Sequence, residues 1–487
     1  MSNIRYLVQH HLINAVYKNP EKIALIIDDK SYSYKTIYRD CLIFRAHFIS
    51  KAIARGDRII IRSGSAYLTV IAFWSSLMCD AVPCIVDPEI ASSAFEKINT
   101  NIDPFLIITH ESIIQNEKIL DNNNVFFKNT ENDLAMIMHT SGSTGDAKGV
   151  MLSHRNVMAA IESIRFYLGL NEKDVILSVL PMHFDYGLYQ MLLAFSLGAT
   201  LVLEKNALFP NFIANRIQQY QVTVLPCVPL LVQIFYIAFK KYQYDFDSIR
   251  IVTNTGENLS LGHIHKLKQL FPKSEIFSMY GLTECKRCSY VPPDNLAEKS
   301  SSIGMPMPNI EMWVQDEKGN TLGANLEGEL VVSGPTVMQG YWKNKLATEK
   351  KIHFFGDKRI LLTGDRAVMD EDGFFYFKGR RDLIFKFKGA KFNTQEYVLK
   401  VLSLSEVDRC YIFLDKTNLS ESKLIVCVEL AGVKKNYDSL RKLIYAFFPS
   451  TQKPTFIYFF NQFPALSNGK LDKCQLEEIA KMEAQCI

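Results

Sequence analysis

An α/β fold is predicted for most of this chain: a large N-terminal domain of layered β-α-β sheets with a small barrel-like β subdomain, then a small α+β C-terminal domain. Three observations predict it. A length of 487 residues exceeds what one hydrophobic core commonly supports, so at least two domains are expected. Short apolar runs alternate with amphipathic segments through the first half, the pattern of parallel β-α-β layers. Beyond residue 380 the pattern changes to longer β-like runs around a helical stretch, which divides the chain into 1–380 and 381–487.

The elements follow in order. The opening MSNIRYLVQHHLINAV has no apolar leader core and no small-residue cleavage site, so no signal peptide is expected and the cytoplasm follows by default. Arg58–Arg62 and Val82–Val86 read as buried strands with a helix over Tyr67–Met78 between them. Phe105–Thr109, Leu134–Met138, Val175–Val179, Thr200–Leu203, Val222–Leu225 and Ile249–Thr253 continue the series. The most apolar stretches, Tyr67–Val86 and Thr223–Phe239, are broken by Ser75, Ser76 and Asp80 and by Pro226, Pro229 and Gln233. They read as strand–helix units rather than membrane spans.

Glu311–Val332 alternates around the turn signal Asp316–Gly319 and predicts hairpins. In the last hundred residues, Cys410–Leu414, Lys423–Leu430 and Thr455–Phe460 read as strands beside a helix starting near Asp438, which is expected as its N-cap. Residues 478–487 read as a helix end.

Composition narrows the class. Hydrophobic residues make up 48% and charged residues 22%, ordinary for a globular protein. A formal charge of +4 is too small to imply nucleic acid as the main partner. Ten cysteines are scattered without a framework. Cys285 and Cys288 have C-x-x-C spacing but no second ligand pair nearby, so they read as reduced thiols rather than a zinc site.

The most informative segment is Thr140-Ser141-Gly142-Ser143-Thr144-Gly145-Asp146-Ala147-Lys148-Gly149-Val150. Glycines, hydroxyls and one lysine make a loop whose N–H and O–H donors can wrap polyphosphate oxygens, with Lys148 adding charge. It is not a Walker A loop, because Ala147 stands where that motif needs Gly. A mobile linker would not lie between the apolar runs Leu134–Met138 and Val150–Leu152.

This loop resembles the phosphate loop of the adenylate-forming superfamily of acyl-CoA synthetases, amino-acid adenylation domains and luciferases, with Ala147 in place of the usual Pro. Other segments resemble that family in the same order. Thr255-Gly256-Glu257-Asn258 is similar to its adenine-side glycine turn. Ser278-Met279-Tyr280-Gly281-Leu282-Thr283-Glu284 resembles its Y-G-x-T-E segment. Leu362-Thr363-Gly364-Asp365 resembles its T-G-D, Gly379-Arg380-Arg381-Asp382 with Lys386 and Lys388-Gly389 its hinge, and Asn468-Gly469-Lys470-Leu471-Asp472 its terminal lysine motif.

The resemblance implies ATP and Mg²⁺ as cofactors. It implies that Tyr280 stacks on adenine, Thr283 meets the α-phosphate, Glu284 holds Mg²⁺ and Asp365 binds both ribose hydroxyls. It assigns Arg380 to the nucleotide, Asp382 to the pivot of a mobile C-terminal domain, and Lys470 to adenylation. The implied reaction is attack of a carboxylate on the α-phosphorus of ATP, then transfer of the acyl group to a thiol. Two anions must approach, so charge neutralisation is the main task. Asp438-Ser439-Leu440 resembles a carrier attachment site but lacks the preceding Gly, so an external thiol is expected: a phosphopantetheinyl carrier protein or CoA.

The substrate clue lies in Pro181-Met182-His183-Phe184-Asp185-Tyr186-Gly187-Leu188. Phe184-Asp185 is similar to amino-acid adenylation domains, whose Asp pairs with the substrate ammonium; the alternative is a helix cap. Tyr-Gly-Leu-Thr-Glu reads more like acyl-CoA synthetases. Phe184, Asp185, Tyr189 and Met279 are expected at the acid pocket, where bulk favours a small acid over a long fatty acid. Arg287 has two readings, an acid-pocket residue favouring an anionic or hydroxylated substrate, or half of a surface or structural salt bridge. Rival functions are a fatty- or aryl-acid CoA ligase, a luciferase-like oxygenase and a non-catalytic nucleotide-binding relative; the last is expected to lack Lys470 or Glu284, and both are present.

Overall fold

The computed structural model describes residues 7–109, 126–140, 148–204, 210–239, 244–257, 259–380, 384–387, 390–404, 406–415, 422–430, 437–466 and 470–485. The readings that fall on Ser141, Gly142, Ser143, Thr144, Gly145, Asn258, Asp382, Lys388, Gly389, Asn468 and Gly469 lie outside the described residues.

The largest sheet has nine strands in the order Met305–Pro306, Ser289–Val291, Glu275–Tyr280, Ile251–Asn254, Val224–Cys227, Val175–Ser178, Thr200–Leu203, Ile23–Ile27 and Lys30–Ser33. Its central pairs are parallel and its edges antiparallel. A second, parallel sheet orders Val82–Ile85, Arg58–Ile61 and Leu106–Ile108. Continuous Val, Ile and Leu runs suit these strands because helices cover both faces of a parallel sheet.

One of those helices is Ala66–Met78, whose side chains from Thr69 to Met78 are all buried. Its two serines satisfy their hydroxyls on the carbonyls one turn back, Ser75 on Ile71 and Ser76 on Ala72. Trp74 stacks on Phe195 of the helix Asp185–Leu197 at 5.4 Å between ring centres, which joins that helix to the main core. Among the described residues no helix is long and apolar enough to cross a membrane.

One expectation is corrected. Leu134–Met138 does not join the parallel series; the strand Leu134–Thr140 pairs antiparallel with Lys148–Ser153. Residues 141–147 are too few for the crossover that parallel pairing requires, so a hairpin is the available connection.

The β subdomain is an antiparallel sheet ordered Glu311–Gln315, Gly328–Ser333, Lys358–Met369 and Ile352–Phe355, with Phe375–Arg380 also on Lys358–Met369. The Asp316 turn is held by its own carboxylate, which accepts from the backbone N–H groups of Lys318 and Asn320.

Further along, the sheet Val407–Asp415, Lys423–Leu430 and Phe456–Phe460 packs with the helices Thr394–Leu402, Tyr437–Ala446 and Lys473–Gln485. Two separate hydrophobic clusters, drawn from residues 387–480, fill this part. Asp438 lies in the first turn of its helix rather than before it, where a carboxylate still suits the helix dipole.

Candidate active site

The hairpin that flanks the glycine–hydroxyl loop sets its two ends side by side, with Thr140 opposite Lys148. The Lys148 ammonium lies 5.2 Å from the centre of the Tyr341 ring. The Tyr341 hydroxyl in turn donates to Glu284 Oε1 at 2.7 Å, which fixes that carboxylate near the loop. Burial first, and then the Glu284 charge, raise the Tyr341 hydroxyl pKa, so it stays a donor.

Tyr280 ends the strand Glu275–Tyr280, and its hydroxyl donates to Asp365 Oδ2. Asp365 lies on the strand Lys358–Met369 opposite Arg380, whose Nε is 3.4 Å from Asp365 Oδ1. Lys351 donates to the Thr363 carbonyl at 2.6 Å, and a side chain on Gly364 would lie 2.8 Å from its ammonium. Burial lowers the Lys351 pKa against the pull of Glu284 and Asp365. Cations and carboxylates thus alternate across this wall, as a polyphosphate and a sugar require.

Among the described residues no three His, Cys, Asp or Glu groups could together hold a metal. Mg²⁺ fits such a site only as an ion bound by one carboxylate, Glu284, with phosphate oxygens completing its shell. Bound there, it would supply charge to the pyrophosphate oxygens.

The lysine near the C-terminus reaches the segment of Phe184 and the glycine turn at Gly256. Lys470 Nζ lies 4.6 Å from the centre of the Phe184 ring. Gly256 has φ +91°, a conformation that calls for glycine, and a side chain there would be in ordinary contact with Lys470 Cε at 3.4 Å and Phe184 Cζ at 3.6 Å. Glu257, expected on the nucleotide side, gives its carboxylate to the C-terminal part. It accepts from Arg409 Nη2 at 3.2 and 3.1 Å and from the Leu471 N–H at 2.9 Å.

The acid-side residues also converge. Phe184 precedes the helix Asp185–Leu197 with no side-chain cap, and Asp185 lies inside its first turn, so the cap reading of Asp185 is corrected. Its carboxylate meets Lys286 Nζ at 3.0 Å. Burial pushes Asp185 up, but Lys286, Lys470 and Arg287 outweigh it and its pKa falls below the ordinary carboxylate value. Burial pulls Lys286 down to about 8 against Asp185.

The Lys286 ammonium also lies 4.4 Å from the centre of Tyr189, and the Arg287 guanidinium 4.8 Å from that of Tyr186. Met279 Sδ accepts from Tyr167 and from Arg287, both at 2.9 Å. Gly281 makes room for this turn, because a Cβ there would lie 2.6 Å from the Arg287 nitrogen. Cys285 and Cys288 are buried free thiols beside it.

A family model described as AMP-binding enzyme matches residues 12–342, more than half the chain. The chain belongs to the AMP-binding enzyme family. It is an adenylate-forming ligase by family, and ATP-binding is a property of that family.

Among its relatives is Zwittermicin A synthase ZmaJ of Bacillus cereus, 26% identical over 489 residues that span 94% of this chain and 92% of that one. Several other curated relatives are much longer, and the chain spans about a tenth of their length. The solved structure of VinN with L-aspartate is 26% identical at a TM-score of 0.68, covering 78% of this chain and all of that one. Klebsiella oxytoca NpsA with 3-hydroxyanthranilyl-AMSN, 20% identical, shows the shared fold over 97% of this chain and 99% of that one at a TM-score of 0.84.

Several residues of this candidate site escaped sequence reasoning. Tyr341 meets Glu284 from 57 positions away, and Arg409 meets Glu257 from 152, with no local signal for either pairing. Lys286 likewise has no local signal that it faces Asp185; only folding brings the two together.

Proposed function

We propose that this adenylate-forming ligase activates a small polar carboxylic acid, amino acids included, and passes the acyl group to the thiol of a phosphopantetheinyl carrier protein or CoA. The observation that carries the reading is that Lys470, from the far end of the chain, lies over Phe184 and acts on the charge of Asp185. Lys470 holds the acid's carboxylate against the nucleotide and draws off charge as the carboxylate attacks the α-phosphorus. The glycine–hydroxyl loop, Lys148 and Thr283 receive the phosphates, Tyr280 the adenine, Asp365 and Arg380 the ribose side, and Glu284 the Mg²⁺. The bulk of Tyr186 and Tyr189 supports a small acid, and the likeness to a structure with bound L-aspartate supports a polar one. Residues 381–487 form the mobile domain, which turns about Asp382 to bring Lys388-Gly389 toward the thiol.

ATP–pyrophosphate exchange across amino acids, dicarboxylic acids, fatty acids and aryl acids tests this. Small polar acids are expected to support exchange, and Lys470→Ala to lower it about 10²–10³-fold. Exchange with fatty acids alone, or undiminished exchange in Lys470→Ala, overturns the reading.

A further inference from the structure

We infer that the acid carries a second anionic group, a carboxylate or an oxyanion of similar size, and that Arg287 binds it. The substrate assignment rests on the ligase reading above. Arg287 is 2% exposed, so water cannot solvate its charge. Its contacts inside the protein are with weak or uncharged groups: Nη1 donates to the sulfur of Met279, the Tyr167 hydroxyl lies against it, and the guanidinium is 4.8 Å from the centre of the Tyr186 ring. Its Nε and Nη2 have no hydrogen-bond partner among the described residues. A buried guanidinium left in that state is costly, and an anion is what relieves it.

Among the described residues the protein answers that charge only at longer range, through the carboxylate of Asp185. The nearby carboxylate, Asp185, is engaged by Lys286 at 3.0 Å. Among the described residues no ion pair joins Arg287 to a carboxylate, so the structural salt bridge that the sequence left open is not formed there. The unengaged atoms matter too. Nε and Nη2 form the side-on edge of the guanidinium, whose two parallel N–H bonds match the two oxygens of a carboxylate.

The backbone presents this edge deliberately. Lys286 and Arg287 have φ of +33° and +47°, a left-handed conformation that side-chain-bearing residues rarely adopt and that concentrates at functional sites. Gly281 is the gap that lets the turn close. Charge matching in the pocket points the same way. Asp185 answers Lys286, the reacting carboxylate answers Lys470, and Arg287 is left for a further negative group at the far end of the substrate.

The test uses acids paired to differ only at that end: L-aspartate with L-asparagine, L-glutamate with L-glutamine, and succinate with succinamate. Pyrophosphate exchange and calorimetric binding in the presence of ATP are measured on the full chain, on Arg287→Met and on Arg287→Lys. The wild type is expected to favour the anionic member of a pair by at least about 10²-fold in kcat/KM, since a buried charge rejects a partner that cannot answer it. Arg287→Met is expected to erase the preference, and Arg287→Lys to restore part of it.

Equal or better use of the neutral members by the wild type overturns the proposal, and so does a preference that survives in Arg287→Met. The wild-type ratio decides alone if the variants fail to fold. Anion-selective binding lost in Arg287→Met, with no exchange for any acid, keeps the anion site and sinks the ligase reading. Exchange confined to acids with one carboxylate does the reverse.

Discussion

At the scale of single residues, the site is a set of charges whose effects depend on how each is partnered. The Asp185–Lys286 pair is the sharpest case, with side chains 15% and 4% exposed. Removing one partner strands the other, whereas replacing both by neutral groups removes the desolvation penalty as well. Lys286→Met is therefore expected to destabilise the protein by about 3–5 kcal/mol, and Asp185→Asn with Lys286→Met to recover most of that loss. Urea unfolding of the two single variants and the double variant checks this, and additive losses would remove the pair from the account. The sequence showed Asp185 as a carboxylate needing a cation and offered the substrate for the role. The cation in the fold is Lys286, because the tight turn after Glu284 swings that side chain back over Tyr189.

At the scale of elements, most of the molecule was legible. The strand expected at Thr200–Leu203 is found there unchanged, and the helix expected over Tyr67–Met78 runs Ala66–Met78, because apolar periodicity reports burial directly. The misplaced strand Leu134–Thr140 shows what periodicity omits: an apolar run does not say which neighbour it pairs with or in which direction. The turn from Gly281 to Cys288 was equally illegible, since its left-handed residues are charged rather than glycine. That turn makes a steric prediction. A methyl group on Gly281 would face backbone atoms of Arg287 at 2.6 and 2.7 Å, which cannot yield as a flexible side chain would. Gly281→Ala is expected to cost about 1–3 kcal/mol. Gly323→Ala, with nothing within 4 Å, should stay within about 0.5 kcal/mol. Equal midpoints for the two variants in chemical denaturation would contradict the packing described for the turn.

At the scale of the whole molecule, the question is what holds Lys470 over Phe184. The sequence motifs named the lysine and the glycine turn it approaches, but not the contact between the two parts of the chain. That contact is Glu257, which accepts from Arg409 and from the Leu471 N–H, the residue next to Lys470. A second tie runs beside it, where Lys266 meets Asp408 at 2.6 Å. Because Leu471 is bonded through its backbone, the Glu257 carboxylate fixes the chain at the base of the Lys470 side chain rather than the side chain itself. Hydrogen bonds to charged groups are worth about 1.5–3 kcal/mol each, and 1.4 kcal/mol is a factor of ten in population. Glu257→Gln keeps the shape but removes the charge. It is expected to lower pyrophosphate exchange about 10–100-fold, with ATP affinity little changed because Lys148 and Asp365 are not part of the contact. Restoring exchange by adding ATP to saturation would mean that Glu257 acts on the nucleotide, as its place in the glycine turn first suggested. A loss that persists at saturating ATP, in a variant whose melting temperature matches the wild type, assigns it to holding Lys470 in place.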